Sequence, residues 1–146
     1  MKPKAFVAAL DDARIVAAIR DAEARSRGEI RVHVAAGVVP DARRAAEAGF
    51  VRLGMTATAE HNGVLILVAP ESRTFAVVGD RGIDERCPPG FWDEIAAGIA
   101  AEFRASRFSD GIVSAVTRVG DELARHFPRR SGRQDSNELP DSVSRD

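Results

Sequence analysis

Apolar positions along this chain switch between a helical period and an alternating one, and the switches mark its elements. From Asp11 or Asp12 to about Ser26, the residues Ile15, Val16, Ile19 and Ala22 recur at helical spacing, and Gly28 follows as a stop. In EIRVHVAA, Glu29 to Ala36, Ile30, Val32 and Val34 alternate with Glu29, Arg31 and His33, which predicts a strand with one face on a core. Pro40 and Asp41 open a second helix that runs through about Leu53 and presents Ala46, Phe50 and Leu53. The run GVLILVAP, Gly63 to Pro70, is apolar throughout and predicts a strand buried on both faces. After the polar turn Glu71-Ser72-Arg73, TFAVVG from Thr74 to Gly79 returns as the second arm of an antiparallel hairpin. Pro88-Pro89-Gly90 then starts a helix with Phe91 or Trp92, Ile95, Ile99 and Phe103 on one face. Ser109 or Asp110 caps a last helix carrying Ile112, Val113, Val116, Val119, Leu123 and Phe127.

This order predicts an α/β fold, a three-layer α/β/α sandwich with a mixed central sheet. Strands joined through a helix run parallel with a right-handed crossover. The starts of the strands at Glu29 and Gly63 and the end of the strand at Thr74 then share one sheet edge. Glu29, Glu60, His61, Asn62, Asp80, Arg81, Asp84 and Glu85 gather there. Past Pro128 the apolar periodicity stops, so residues 1–128 are expected to form one domain and 129–146 a polar, disordered tail.

Composition narrows the function classes. A chain of 146 residues, 45% hydrophobic and 29% charged, suits a single core. Its net charge of -1 gives no basic field, and no nucleic-acid partner is expected. The single cysteine, Cys87, excludes an internal disulfide and a multi-thiolate zinc cage. No segment reaches the ~20 apolar residues of a membrane span, and Asp11 and Asp12 interrupt the N-terminal apolar patch, so the expected location is cytoplasmic.

The gathered edge could hold a hard cation, Ca2+ or Mg2+, through Asp80, Asn62, Glu29 and Asp84, with Arg81 as a phosphate clamp and His61 as an acid or base. Each residue has a plainer role beside that one. Asp80, between Gly79 and Gly82-containing sequence, suits an Asx turn, Asn62-Gly63 a turn into a strand, Glu29 a solvated strand face, and Asp84 and Glu85 a helix cap. Cys87 reads as a packing residue, and no GxSxG elbow, EF-hand or phosphate-cradling glycine loop is present.

The ordered set SRGEIRVHV, GFVRLGM, HNGVLILVAPESRTFAVVGDRGI, FWDEI, FRASRFSDGI and LARHFP resembles the TPM domain family, from about Asp11 to Pro128. That resemblance implies the same sandwich. It implies a soluble accessory or binding domain with a divalent cation in a loop site at the sheet edge, and, as an alternative, acid phosphatase-like phosphomonoester hydrolysis. Family members include bacterial envelope and thylakoid-lumen proteins, and a protein partner and a monomeric state are expected here. By position the resemblance favours Asp80 and Asn62 as ligands, followed by Glu29 and Asp84. Where relatives commonly carry a Gly-Asp-aromatic run before the last helix, this chain has Ser106-Arg107-Phe108.

Overall fold

The computed structural model describes residues 5–6, 9–129 and 143–146. Within them, helix α1 (Asp12–Arg25) leads into β1 (Glu29–Val34), then α2 (Ala42–Arg52) and a single 3-10 turn (Met55–Ala57). The hairpin β2 (Gly63–Ala69) and β3 (Thr74–Gly79) follows, then the short α3 (Arg81–Asp84), α4 (Phe91–Arg104), α5 (Phe108–His126) and β4 (Ser144–Arg145).

Side-chain caps set the starts of the first two long helices: Asp11 accepts from the Arg14 amide and Asp41 from the Arg44 amide, each at 3.1 Å. The sheet order is β3-β2-β1-β4, with β1 parallel to β2 and β4 and β3 antiparallel to β2. The β2 residues are buried throughout, as an all-apolar strand requires. Val64, Ile66 and Val68 face the large core shared with Ile15 and Ile19 of α1, Ile95 and Ile99 of α4 and Ile112 and Val116 of α5. Leu65 and Leu67 face the opposite layer, where α2 contributes Ala42, Ala46 and Phe50. Helices therefore cover both faces of a mixed sheet, and the three-layer α/β/α sandwich stands. No described helix is long and apolar enough to cross a membrane.

Three local expectations need correction. The segment after β3 is a helical turn, α3, because Asp80 caps it through a 2.8 Å bond from the Arg81 amide. The last helix starts at Phe108, ahead of Ser109 and Asp110. Those two residues instead tie the helix to the start of α1: Ser109 Oγ accepts from the Asp11 amide at 2.9 Å and Asp110 pairs with Arg14 at 2.9 Å. The third correction concerns the expected tail, most of which lies outside the described residues. At 143–146 the chain is docked, with Ser144 and Arg145 paired to His33 and Val34 of β1. An exposed strand edge offers unpaired backbone groups that a polar segment can satisfy without any apolar periodicity.

Candidate functional site

Strand register assembles the site. Glu29 stands opposite Gly63, and Gly79 opposite Val64, which brings the start of β1, the start of β2 and the end of β3 to one end of the sheet. The Asp80 amide donates to Gly63 O at 2.9 Å, and the Glu29 amide to Asn62 O at 3.4 Å. Glu29, Asn62 and Asp80 are thus neighbours across three strands, as the topology predicted. The loop before β2 is pressed onto α3: a Cβ on Gly82 would lie 2.2 Å from Glu60 O and 2.5 Å from His61 O. Only glycine fits there, which explains why the turn reads Asp-Arg-Gly. His61 at the contact holds φ +52°, a left-handed conformation costly for a residue with a Cβ.

The side chains at this end divide their polar atoms unevenly. Asn62, 1% exposed, donates from Nδ2 to Arg27 O at 3.1 Å, whereas its Oδ1 is enclosed and accepts no hydrogen bond from the described residues. Asp80 Oδ1 caps α3, and its Oδ2 is enclosed too. Oδ2 lies 3.4 Å from His61 Nδ1, within ion-pair distance but without the alignment of a hydrogen bond. Thr58 Oγ1, in the same loop, is a third enclosed oxygen without a donor among the described residues. Glu29 adds a carboxylate that is 4% exposed. His61 Nε2 sits 3.0 Å from Arg81 Nη2, and because guanidinium can only donate, the imidazole proton is on Nδ1, facing Asp80. Arg27 closes the flank with bonds of 2.8 and 2.9 Å to the two oxygens of Glu60.

Asp84 and Glu85 are exposed, and Asp84 Oδ1 accepts the indole N–H of Trp92 at 2.8 Å, which pins α3 to α4. Thr58 carried no signal in the sequence, since a threonine in a polar loop has many plain explanations. Cys87 packs against the large core, and burial, followed by the charges of Glu122 and Asp84, pushes its thiol up to about 11. That supports the packing role. Ser106-Arg107-Phe108 lies at the other end of the sheet, and there Arg107 pairs with Glu102 at 2.6 Å.

Chemically, the enclosed oxygens come from a carboxylate, an amide and a hydroxyl. Among the described residues no three His, Cys, Asp or Glu side chains stand together as a metal-binding group. This donor chemistry does not suit zinc, which takes nitrogen and sulfur ligands. Hard cations, and calcium above all, accept neutral oxygens alongside one or two carboxylates.

Comparison with known proteins gives consistent results. The TPM domain model matches residues 3–122. The solution structure of the BA42 protein from the psychrophilic bacterium Bizionia argentinensis is 38% identical, with a TM-score of 0.83 over 94% of this chain and 96% of that one. An N-terminal domain of cg2496 from Corynebacterium glutamicum shares the fold at 17% identity and TM-score 0.59, covering 85% of this chain and 74% of that one. An N-terminal domain from P. gingivalis does so at 19% and 0.61, covering 83% and 82%. No curated protein matches.

Proposed function

The chain belongs to the TPM domain family, and from that premise we propose that it is a binding or accessory domain that takes a divalent cation, Ca2+ or Mg2+, at the strand-end cluster of Thr58, Asn62 and Asp80. The observation that carries this reading is the enclosure of three side-chain oxygens that accept no hydrogen bond from the described residues. Leaving a buried acceptor unsatisfied costs about 1–3 kcal/mol, and a cation would relieve that cost for each of these oxygens it reaches. Glu29 supplies further negative charge at the same end, while Asp84, tied to Trp92, stands in reserve at the far end of α3. A bound ion would join the loop before β2 to the turn after β3. Cytoplasmic residence, a monomeric state and a protein partner belong to the same proposal.

Binding is favoured over phosphomonoester hydrolysis by the position of Arg81. The guanidinium that would clamp phosphate donates instead to His61, whose other nitrogen faces Asp80. A melt of chelator-stripped protein with calcium, magnesium, manganese and zinc added separately tests the reading. At one hundred times the dissociation constant, a folded-state ligand stabilises by about 2.7 kcal/mol. The expected result is a calcium- or magnesium-specific rise that Asp80→Ala removes. No rise with any ion, or an equal rise in the variant, defeats the assignment. Hydrolysis of an aryl phosphate that requires the ion and is lost in Asp80→Ala would favour the phosphatase alternative.

A further inference from the structure

The opposite end of the sheet holds a cavity of about 460 Å3 that the cation reading does not use. It lies at the carboxyl end of β2, between the β2–β3 turn and the corner joining α4 to α5. In open α/β sheets, ligand crevices lie outside the carboxyl ends of the parallel strands. The volume falls in the range of about 300–1,000 Å3 typical of small-molecule sites.

Its walls and its mouth differ in chemistry. Phe6, Phe75, Phe103 and Phe108 line the interior in edge-on and tilted contacts, with centroids 4.5–5.7 Å apart. Such walls accept an aryl or alkyl body. Arg73 and Arg104 also line the cavity and are exposed, and neither guanidinium has an ion pair or hydrogen bond among the described residues. Among the described residues, no acidic side chain lines the cavity to neutralise them. Two further features set the rim apart from an ordinary loop. Arg73 holds φ +52° and Ser106 φ +60°, so both non-glycine corners that shape the rim adopt left-handed backbone. Strain of this kind is retained where surrounding packing fixes it, and it clusters at ligand clamps.

We propose that this cavity binds a small amphipathic carboxylate, with an aryl or short alkyl body among the phenylalanines and its carboxylate between Arg73 and Arg104. Guanidinium suits a planar carboxylate because its fork can donate two parallel hydrogen bonds. An apolar body alone would fill the walls but leave both cations at the mouth unmatched. The site is separate from the oxygen cluster, so binding should be unchanged in chelator, and the failure of either reading leaves the other standing.

Titration of the full chain with 2-naphthoate, followed by NMR and fluorescence, tests the proposal against the matched neutral alcohol 2-naphthalenemethanol. The expected result is saturable naphthoate binding with shifts at Phe75, Phe103 and Ser106. The double variant Arg73→Gln/Arg104→Gln should weaken naphthoate at least tenfold and change the alcohol less than twofold. Ala100→Trp, which fills the cavity from α4, should abolish both. The arginine pair is exposed, so that variant folds and decides the matter even if the tryptophan variant does not. Absence of saturable binding, shifts confined to other surfaces, or naphthoate affinity unchanged by the double variant would overturn it.

Discussion

Removing residues 143–146 should cost a small but measurable part of the fold's stability, and the size follows from what β4 touches. Asp146 carries most of the docking. Its amide donates to Val34 O at 3.3 Å, its Oδ2 accepts from the Ala36 amide at 2.9 Å, and its Oδ1 lies 2.6 Å from His33 Nε2. A carboxylate only accepts, so His33 donates to it from Nε2, while Ser144 Oγ lies 2.8 Å from His33 Nδ1 and 3.4 Å from Val32 O. The two contacts to the ionised carboxylate contribute about 1.5–3 kcal/mol each and the neutral ones about 1 kcal/mol each. Ordering the four residues opposes this at about 1–2 kcal/mol apiece. The exposed Arg145–Asp12 pair adds little, because solvent screens it. The balance is on the order of 1 kcal/mol, or about 3 °C in melting temperature for a domain of this size.

The same contacts set a pH dependence with a definite sign. The Ala36 amide, then the His33 hydrogen bond, hold the Asp146 carboxyl below its ordinary value of 3.8, against the opposing effect of burial. A lowered folded-state value means that the stabilisation is complete above the ordinary carboxylate range and is lost as pH falls through the docked value. Melts of the intact and truncated chains should therefore differ by about 3 °C at neutral pH, with the gap narrowing only as pH falls below the ordinary carboxyl value of 3.8 and through the docked one. The ring signals of His33, which is 2% exposed, should move on truncation. Identical melts and unchanged His33 signals at neutral pH would refute the docked strand, and a gap that widens in acid would refute the role given to Asp146.

Other perturbations read other parts of the fold. Gly82→Ala should destabilise by about 1–3 kcal/mol through overpacking, because the new Cβ meets the carbonyls of Glu60 and His61. By contrast, Gly98→Ala, in the exposed middle of α4 with nothing within 4 Å, should stabilise by up to about 1 kcal/mol. Thermal melts of the two variants that shift alike would refute the packing argument. Cys87, with its thiol raised to about 11, should react with iodoacetamide at neutral pH about tenfold more slowly than a free cysteine, because the smaller thiolate fraction is partly offset by the greater nucleophilicity of a more basic thiolate. Equal rates before and after unfolding would show that the thiol is not enclosed.

What periodicity could reveal, it revealed through particular residues. Ile15, Ile19 and Ala22, the β2 run and the Ile112 to Leu123 stripe all point into cores, since burial rewards repeating apolar positions. Features held by polar contacts left no such trace. The alternation of β1 placed His33 on the less apolar face, yet β4 closes that edge, so the ring is buried with polar partners. β4 itself has no apolar stripe. The gathering of Glu29, Asn62 and Asp80 was legible because it follows from strand direction alone. The enclosed state of their oxygens depends on how the loop at Glu60 and His61 meets Gly82, a contact between segments about twenty residues apart.

The two ends of the sheet now differ in a way that the near-neutral total conceals. A net charge of -1 excludes a long-range field, but it averages an acidic end, with Glu29 buried and Asp80 half-buried, with a basic rim at Arg73 and Arg104. Charges separated by the length of a strand are largely screened from one another at physiological salt, so each end can select its own ligand. A cation held by Asp80 should therefore leave naphthoate affinity unchanged within error, and naphthoate should not move the cation-dependent melt beyond the additive sum. Strong coupling between them would mean that the loops before β2 and after β2 move together, and the rigid three-layer sandwich would have to give way to a two-state sheet.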